Sequence, residues 1–293
     1  MALASSRVHA HSASPLAGNI PPVLIGTLLA VAFWPILKSM FGSWFDPPSN
    51  MEHGILVIPA AGFMVWRKRV KLSQIPRTHS AWGLFFVLWG AGQASLGMAA
   101  HWTWISRTAF LISLTGSIAA VYGVGVVREL AYPLATLILM IAPPTFLYER
   151  FTLDLQLIAG RLGADCLELM GYPVLREGNV LEMVGIKLSV EEACSGLRSL
   201  VSIVFLCVLY NHFFVRGNLT RAVILAMAVP IAIIGNVGRI VMTGVVGQHN
   251  HELAGGFAHE ALGYISVVAA GIGCIALHFL IVQIRKMWRP RQA

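Results

Sequence analysis

Charged side chains are scarce in this chain of 293 residues: 12% are Asp, Glu, Lys or Arg, whereas 57% are hydrophobic. Ordinary soluble domains carry about 25% charged residues. A soluble core of this size cannot bury so much apolar surface, so the composition excludes an ordinary soluble protein. The alternative solvent is lipid, which requires about 20 apolar residues for each spanning helix.

Cysteines are also few, and none of the four stands in a CxxC or other metal-like spacing; they are Cys166, Cys194, Cys207 and Cys274. This pattern suggests neither a disulfide framework nor a zinc site. His249, His251 and His259 leave a metal site open as an alternative, but no carboxylate or cysteine stands near them at a zinc spacing. We expect no metal and no cofactor.

Apolar residues are concentrated in eight runs, at approximately 20–40, 54–66, 81–100, 104–122, 130–147, 196–214, 222–246 and 261–284. We therefore predict an all-α integral membrane bundle of about eight transmembrane helices, forming a single polytopic domain over 1–293. No internal repeat or low-complexity segment is present, which gives no support to a transporter built from inverted repeats. The first run lacks a cleavage pattern, so we expect it to be a retained span.

The net charge of +8 comes from basic residues at the ends of these runs, so anionic lipid suffices as their partner and nucleic acid is not implied. The bias of Lys and Arg places the cluster at 67–77, Arg128, the pair Arg216 and Arg221, and the tail 285–291 in the cytoplasm. Both termini are then cytoplasmic in a bacterial inner membrane, and 148–195 faces the periplasm. Lys38 and Arg107 lie near outer ends and depart from the rule.

Segment 148–195 is the one long stretch outside the apolar runs. Its first half, from Glu149 to Gly171, has charged residues on one helical stripe and predicts an amphipathic helix on the outer membrane interface. Its second half alternates apolar and polar residues at 186–191, with turns at Glu177-Gly178 and Val184-Gly185, and predicts a small β-hairpin. The hairpin leads directly to Cys194 at the start of the sixth span.

Cys194 precedes a helix N-terminus, where unpaired N–H groups and the helix dipole favour a thiolate. Arg198 adds positive charge one turn later, and Gly196 leaves room for a peptide to approach. Glu191 and Glu192 oppose this effect, because neighbouring carboxylates raise a thiol pKa. The alternative is that Cys194 is a small packing residue.

Arg239 is an arginine within the seventh span, where a charge costs about 2.5–3.5 kcal/mol or more unless it faces a polar cavity or a partner. Asn236 shares its helical face. The alternative to a functional role is an ion pair with a buried glutamate of another helix. His259 begins the eighth span, and histidine is suited to proton transfer near neutral pH.

Charge-derived topology brings these three residues to the outer ends of consecutive helices. A nucleophile, a base and a cation are the groups that acyl transfer requires.

Three sequence blocks resemble the signature blocks of the exosortase/archaeosortase family: Ala193-Cys194-Ser195-Gly196-Leu197-Arg198, Asn236-Val237-Gly238-Arg239-Ile240 and His259-Glu260. The lead-in Gly171-Tyr172-Pro173-Val174 and the pair His53-Gly54, followed by an apolar run ending at Trp66-Arg67-Lys68-Arg69, are similar to that family as well. The resemblance covers about residues 50–265.

The resemblance implies a cysteine transpeptidase, a thiol protease that cuts the C-terminal sorting signal of secreted proteins. That signal has a Pro-Glu-Pro-like motif (PEP-CTERM), one transmembrane helix and a basic tail, and the cleaved protein passes to a cell-envelope acceptor. It also implies that Cys194, Arg239 and His259 are catalytic, with Arg198, Asn236, Ser195, Gly196, Glu192 and His53 as supporting residues. Some members carry a soluble domain after the last span, and we expect none here.

Two other classes of function stay open at the level of sequence. A transporter or channel would account for the apolar helices and the membrane-embedded Arg239, and a non-catalytic assembly factor for envelope polysaccharide would tolerate loss of all three residues.

Overall fold

A computed structural model describes residues 22–46, 51–190, 196–249 and 256–288. In its first half the helices are α1 Pro22–Ala32, α2 Trp34–Phe45, α3 Gly54–Arg67, α4 Arg69–Gln74, α5 Ala81–Ala99, α6 Thr103–Tyr122, α7 Val124–Glu129 and α8 Ala131–Thr136, followed by a 3₁₀-helix at Leu137–Met140. After it come α9 Thr145–Leu169, strands β1 Val174–Glu177, β2 Val180–Met183 and β3 Ile186–Ser189, and helices α10 Gly196–Phe214, α11 Asn218–His249 and α12 Gly256–Trp288.

Helices occupy most of the predicted apolar runs, and the protein is predominantly α-helical. Within the described residues, three helices are long and apolar enough to cross a membrane, or up to five if each bent pair is one span. The three lie at Thr103–Tyr122, Asn218–Gln248 and Ile265–Met287. The number eight and the orientation of the spans stay predictions.

Two predicted runs are not single straight helices. The run at 20–40 bends by 83° between α1 and α2. Pro35 explains this bend, because its ring has no N–H and collides with the carbonyl four residues earlier. The run at 130–147 ends as a helix at Met140, and α9 begins at Thr145 after a bend of 79°. Here the consecutive prolines Pro143 and Pro144 remove two backbone donors, so the chain cannot continue as a helix.

The chain folds into two compact units, one of residues 1–39 and 63–135 and the other of 40–62 and 136–293. The prediction of a single domain over 1–293 stays a prediction.

The first unit is built on the close antiparallel packing of α5 and α6. Gly83, Gly90 and Gly97 recur every seven residues along α5, and each faces the main chain or a serine hydroxyl of α6. A Cβ at Gly83 would overlap the backbone of Ala120. Small residues are what allow helices to approach this closely in lipid, where apolar burial gives no preference for helix association.

Beside this helix pair, the Glu129 carboxylate at the end of α7 binds two lysines. Lys68 Nζ lies 2.9 Å from Oε1 and Lys71 Nζ 2.6 Å from Oε2. Hydrogen bonds from Lys71 and then from Lys68 lower the pKa of Glu129. Two lysines of the basic cluster at 67–77, Lys68 and Lys71, are therefore engaged in salt bridges within the protein.

Gly83→Ala should destabilise the first unit by about 1–3 kcal/mol, because the added methyl forces the α5 and α6 backbones apart. The matched control is Gly92→Ala on the same helix, where nothing lies within 4 Å of an added Cβ. That change should be neutral or slightly stabilising, since alanine restricts the unfolded chain. Thermal unfolding in detergent measures both. Equal effects of the two substitutions would show that the glycine spacing does not hold α5 against α6.

The second unit contains α9, the β-strands and α10–α12. The strands form an antiparallel sheet in the order β1-β2-β3, with Val174 opposite Met183 and Val180 opposite Ser189. The buried face of α9 is rich in small residues and packs on α11, where Gly163 lies so close to Ile240 that a Cβ would be 2.7 Å from Cγ2. The sheet covers the same core through Leu181, Leu188 and neighbouring residues. Whether α9 lies at a membrane interface stays a prediction.

Helices α10, α11 and α12 form an antiparallel group around a second core. Close contacts along α11 and α12 pair Arg239 with Gly263, Gly235 with Ser266 and Ile231 with Gly273, so the two helices run in opposite directions. Cys207 of α10 and Cys274 of α12 are buried with their Sγ atoms 2.9 Å apart. These contacts fix the three helices relative to one another.

Candidate active site

Three polar residues project from one face of α11. Asn236, Arg239 and Thr243 are separated by three and four residues, which places them one above the other along the helix. Asn236 is 5% exposed and Thr243 is 1% exposed, whereas Arg239 is half-buried. A polar face inside an apolar bundle is the first feature of the candidate site.

The guanidinium of Arg239 packs against α12. A Cβ added at Gly263 would lie 3.4 Å from its Cζ and 3.5 Å from each terminal nitrogen. Because Gly263 has no side chain, the planar guanidinium lies close against α12 at this point. An alanine Cβ at 263 would be in ordinary van der Waals contact with it, whereas a longer side chain would compete with Arg239 for the same space.

The predicted base lies on the same face of α12 as Gly263. His259 precedes Gly263 by four residues within α12, and residues four apart on a helix share a face about 6 Å apart along the axis. The His259 side chain lies outside the described part of the chain. The structure places the backbone of His259 one helical turn before Gly263, the residue against which the Arg239 guanidinium packs.

The predicted nucleophile lies outside the described residues, as do Ser195 and Glu192. The residues on either side of this gap are placed. Val190 is fully buried in the core formed by α9, the sheet and Ile240, and Gly196 begins α10. Arg198 stands in the first turn of α10, and its side chain also lies outside the described part.

The level of Gly196 along α11 follows from the helix lengths. Helix α10 has 19 residues and runs antiparallel to α11, which starts four residues after α10 ends. The nineteenth residue of α11, counted from Asn218, is Asn236. With equal rise per residue, the start of α10 therefore lies near the level of Asn236, and Arg239 is one turn beyond it.

His53 occupies a different part of the second unit. It is buried in the turn before α3, and its Nε2 donates a hydrogen bond of 3.0 Å to the carbonyl oxygen of Leu139. Trp44 Nε1 donates likewise, at 3.0 Å, to the carbonyl of Met140. These carbonyls belong to the 3₁₀-helix that Pro143 and Pro144 interrupt, so the two side chains replace backbone donors that the prolines lack.

Burial governs the protonation of His53. Desolvation lowers its pKa, and the hydrogen bond to Leu139 offsets this only in part. The Nδ1 atom is buried and has no hydrogen-bond partner in the part of the chain that the structure describes. The ring also lies 6.2 Å from the ring of Phe205, nine residues after the start of α10. His53 is thus a neutral donor to the broken segment, about 13 Å along α10 from Gly196.

Because the pKa of His53 is lowered by folding, the unfolded chain binds the additional proton more readily. The stability that neutral His53 contributes is complete above its ordinary pKa of about 6.5 and is lost as the pH falls below it. Thermal stability should therefore decrease between about pH 7 and pH 5. His53→Gln keeps an N–H donor without a titrating group and should flatten this slope.

The matched control for His53→Gln is Trp44→Phe, which removes the neighbouring hydrogen bond but no titrating group. It should lower stability by a similar amount at every pH. An unchanged slope in His53→Gln would show that another group causes the acid sensitivity.

Thr243 and Trp44 did not emerge from the sequence. A threonine in an apolar helix gives no signal by itself, although its spacing of seven from Asn236 places it on the same face. Among the described residues no group of three His, Cys, Asp or Glu is placed to hold a metal ion. The side chains of His249, His251 and His259 lie outside that part, so the metal alternative is untested.

Comparison with known proteins adds to this geometry. The family model described as transmembrane exosortase matches residues 44–276, well over half of the chain. The chain belongs to the exosortase family. No curated protein and no solved structure matches it. The match includes the segments that carry Cys194, Arg239 and His259.

Membership establishes the general class of this protein. Exosortases are membrane sorting transpeptidases that act on secreted proteins bearing sorting signals. Together with its apolar helices, this makes the chain a multi-pass membrane enzyme of that class.

Proposed function

We propose that this exosortase is a cysteine transpeptidase whose nucleophile is Cys194. The thiolate attacks the carbonyl carbon of the scissile peptide bond, and His259 donates a proton to the leaving amine as that bond breaks. An amine or hydroxyl of an acceptor then attacks the thioester, returning its proton to His259 and releasing Cys194. Arg239 stabilises the negative charge that develops on the carbonyl oxygen.

The observation that carries this proposal is the contact between Arg239 and Gly263. Helix α11 supplies a cation at the point where α12 has no side chain, one turn after His259. A cation and a proton donor on adjacent helix faces are two of the groups that acyl transfer requires. A purely structural arginine would have no need of a histidine at this spacing.

The third group comes from the segment that enters α10. Cys194 stands two residues before Gly196 and four after Val190. A chain spans at most about 3.6 Å per residue, so both fixed neighbours limit how far the thiol can be from α11. Ile240 adjoins Arg239 and belongs to the same core as Val190, which supports a position for Cys194 close to the guanidinium.

The substrate that we propose is an exported protein with a C-terminal Pro-Glu-Pro-like motif, a transmembrane helix and a basic tail. Its acceptor is a component of the cell envelope. The active site then faces the periplasm, and both termini are cytoplasmic in the inner membrane. Arg198 and Arg239 are both candidates to bind the acidic residue of the motif.

The nucleophile is tested by Cys194→Ala. Because only a thiolate can form the thioester, this variant should lose all processing of a co-expressed substrate while it still inserts and accumulates. The matched control is Cys207→Ala, which removes a buried thiol in the middle of α10 and should leave processing intact. Substrate size and release from the membrane anchor are measured. Processing at the wild-type rate in Cys194→Ala would refute the cysteine mechanism and favour a transporter or assembly factor.

Arg239 is tested by two substitutions that separate catalysis from structure. Lysine keeps the charge but does not reproduce the planar, bidentate guanidinium. If Arg239 is catalytic, Arg239→Lys should lose most processing, about tenfold or more, with thermal stability near wild type. If it instead pairs with a buried carboxylate for structure, Arg239→Gln leaves that charge unpaired, which costs about 3–5 kcal/mol.

The measurement for both Arg239 variants is processing per unit of folded protein. Full specific activity in Arg239→Lys, together with aggregation of Arg239→Gln, would assign the residue to an ion pair that holds the bundle.

A further inference from the structure

Two of the polar side chains on α11 make no hydrogen bond with the described residues of the second unit. Both amide atoms of Asn236, Nδ2 and Oδ1, are buried without a hydrogen-bond partner in the described ranges, and so is Oγ1 of Thr243. Both residues are more than nine-tenths buried. Buried polar groups in native proteins are nearly always bonded, so two exceptions on one helix face require an explanation.

The position of these groups indicates what they bind. Thr243 and Asn236 are seven residues apart, which is about 10 Å along α11. Arg239 lies between them on the same face. An extended peptide rises about 3.3 Å per residue, so the three side chains together match about three residues of an extended chain.

A single buried water does not account for this pattern. Such a water requires two to four polar partners, and the two side chains are too far apart along α11 to share one. A threonine hydroxyl inside a helix ordinarily bonds to the carbonyl four residues earlier. The Thr243 hydroxyl makes no such bond, so it is not satisfied within its own helix.

We propose that Asn236 and Thr243 bind the main-chain amide groups of the substrate peptide on either side of the scissile bond. The Asn236 amide donates to a peptide carbonyl and accepts from a peptide N–H, and the Thr243 hydroxyl does one or the other. These hydrogen bonds recognise the main chain of the extended substrate and not the substrate's side chains. They hold the scissile carbonyl beside Arg239. This inference rests on the proposed transpeptidase function.

The decisive variant is Thr243→Val, which has the same shape but no hydroxyl. Because the hydroxyl has no partner among the described residues of the free enzyme, its removal should leave the melting temperature unchanged or raise it. Loss of a hydrogen bond to the substrate should raise KM about three- to tenfold. Thr243→Ser keeps the hydroxyl and should restore KM. A structural role would instead lower the melting temperature and leave KM unchanged.

The matched control is Thr220→Val near the other end of α11. Thr220 is 2% exposed, and its Oγ1 also has no hydrogen-bond partner among the described residues. Thr220→Val should likewise leave the melting temperature unchanged or raise it, without any change in KM. Asn236→Ala provides a second, independent test. It should raise KM by a similar factor, even if the small cavity that it leaves lowers the melting temperature.

The readout is cleavage of a purified substrate protein bearing the C-terminal sorting signal, over a range of its concentrations, by each variant in detergent. A raised KM in Thr243→Val and Asn236→Ala, with wild-type values in Thr220→Val and Thr243→Ser, supports the proposal. Wild-type KM in both Thr243→Val and Asn236→Ala would overturn it while leaving the transpeptidase intact. Absence of cleavage by the wild-type enzyme, with substrate still retained on Cys194→Ala, would instead refute the proposed function.

Discussion

The guanidinium of Arg239 lies where a Cβ on Gly263 would be 3.4 Å away, and much of the second unit can be understood from this contact. A cation in an apolar bundle is unfavourable unless polar groups surround it. The glycine allows the group to reach the α12 backbone, and Asn236 and Thr243 extend the polar face above and below it. Ile240, the next residue along α11 and about 100° around the helix from Arg239, is fully buried against α9 and the sheet. The polar side chains of α11 thus lie directly beside the apolar contact that this helix makes with α9 and the sheet.

Two sets of polar groups in the second unit differ in whether they have hydrogen-bond partners among the described residues. At the break after Met140 the carbonyls of Leu139 and Met140 accept hydrogen bonds from His53 and Trp44, and the indole of Trp44 also fills the space beside Gly54. These two carbonyls are satisfied, as lipid requires of an interrupted helix. On α11 the amide of Asn236 and the hydroxyl of Thr243 are not satisfied by any described residue. An unsatisfied buried group costs about 1–3 kcal/mol, and that penalty is removed if a ligand provides the missing partners.

Hydropathy was sufficient to predict α3, α5, α6 and α10 to α12 to within about five residues at each end, because a continuous apolar run in lipid must be helical. It did not predict the bends within 20–40 and 130–147, where averaging over a window conceals Pro35 and the pair Pro143-Pro144. For the site, the charge-derived topology predicted that Arg239 and His259 lie at the outer ends of consecutive helices. The buried hydroxyl of Thr243 could not be singled out from the sequence, since only the structure shows that it has no hydrogen-bond partner among the described residues.

The register of the three last helices decides whether such a site can exist. Four of the contacts between them place a side chain or carbonyl beside a glycine: Arg239 at Gly263, Leu206 at Gly271, Ile231 at Gly273 and the Ser266 carbonyl near Gly235. Gly244 meets Leu167 in the same way, so these glycines serve packing within one chain.

A shift of α12 by one residue would rotate it by about 100° and break all of the glycine contacts on α12 at once, including the one that receives Arg239. It would also turn the face that carries His259 away from α11. Side chains packed against glycines therefore fix the register of the helices more strictly than apolar packing alone, which tolerates exchange of similar side chains. Because His259 and the start of α10 are both fixed to helices and not to long loops, their positions relative to Arg239 follow from this register. A catalytic arrangement built at helix ends needs that rigidity, since an error of about 1 Å in placing reacting groups can reduce a rate a hundredfold.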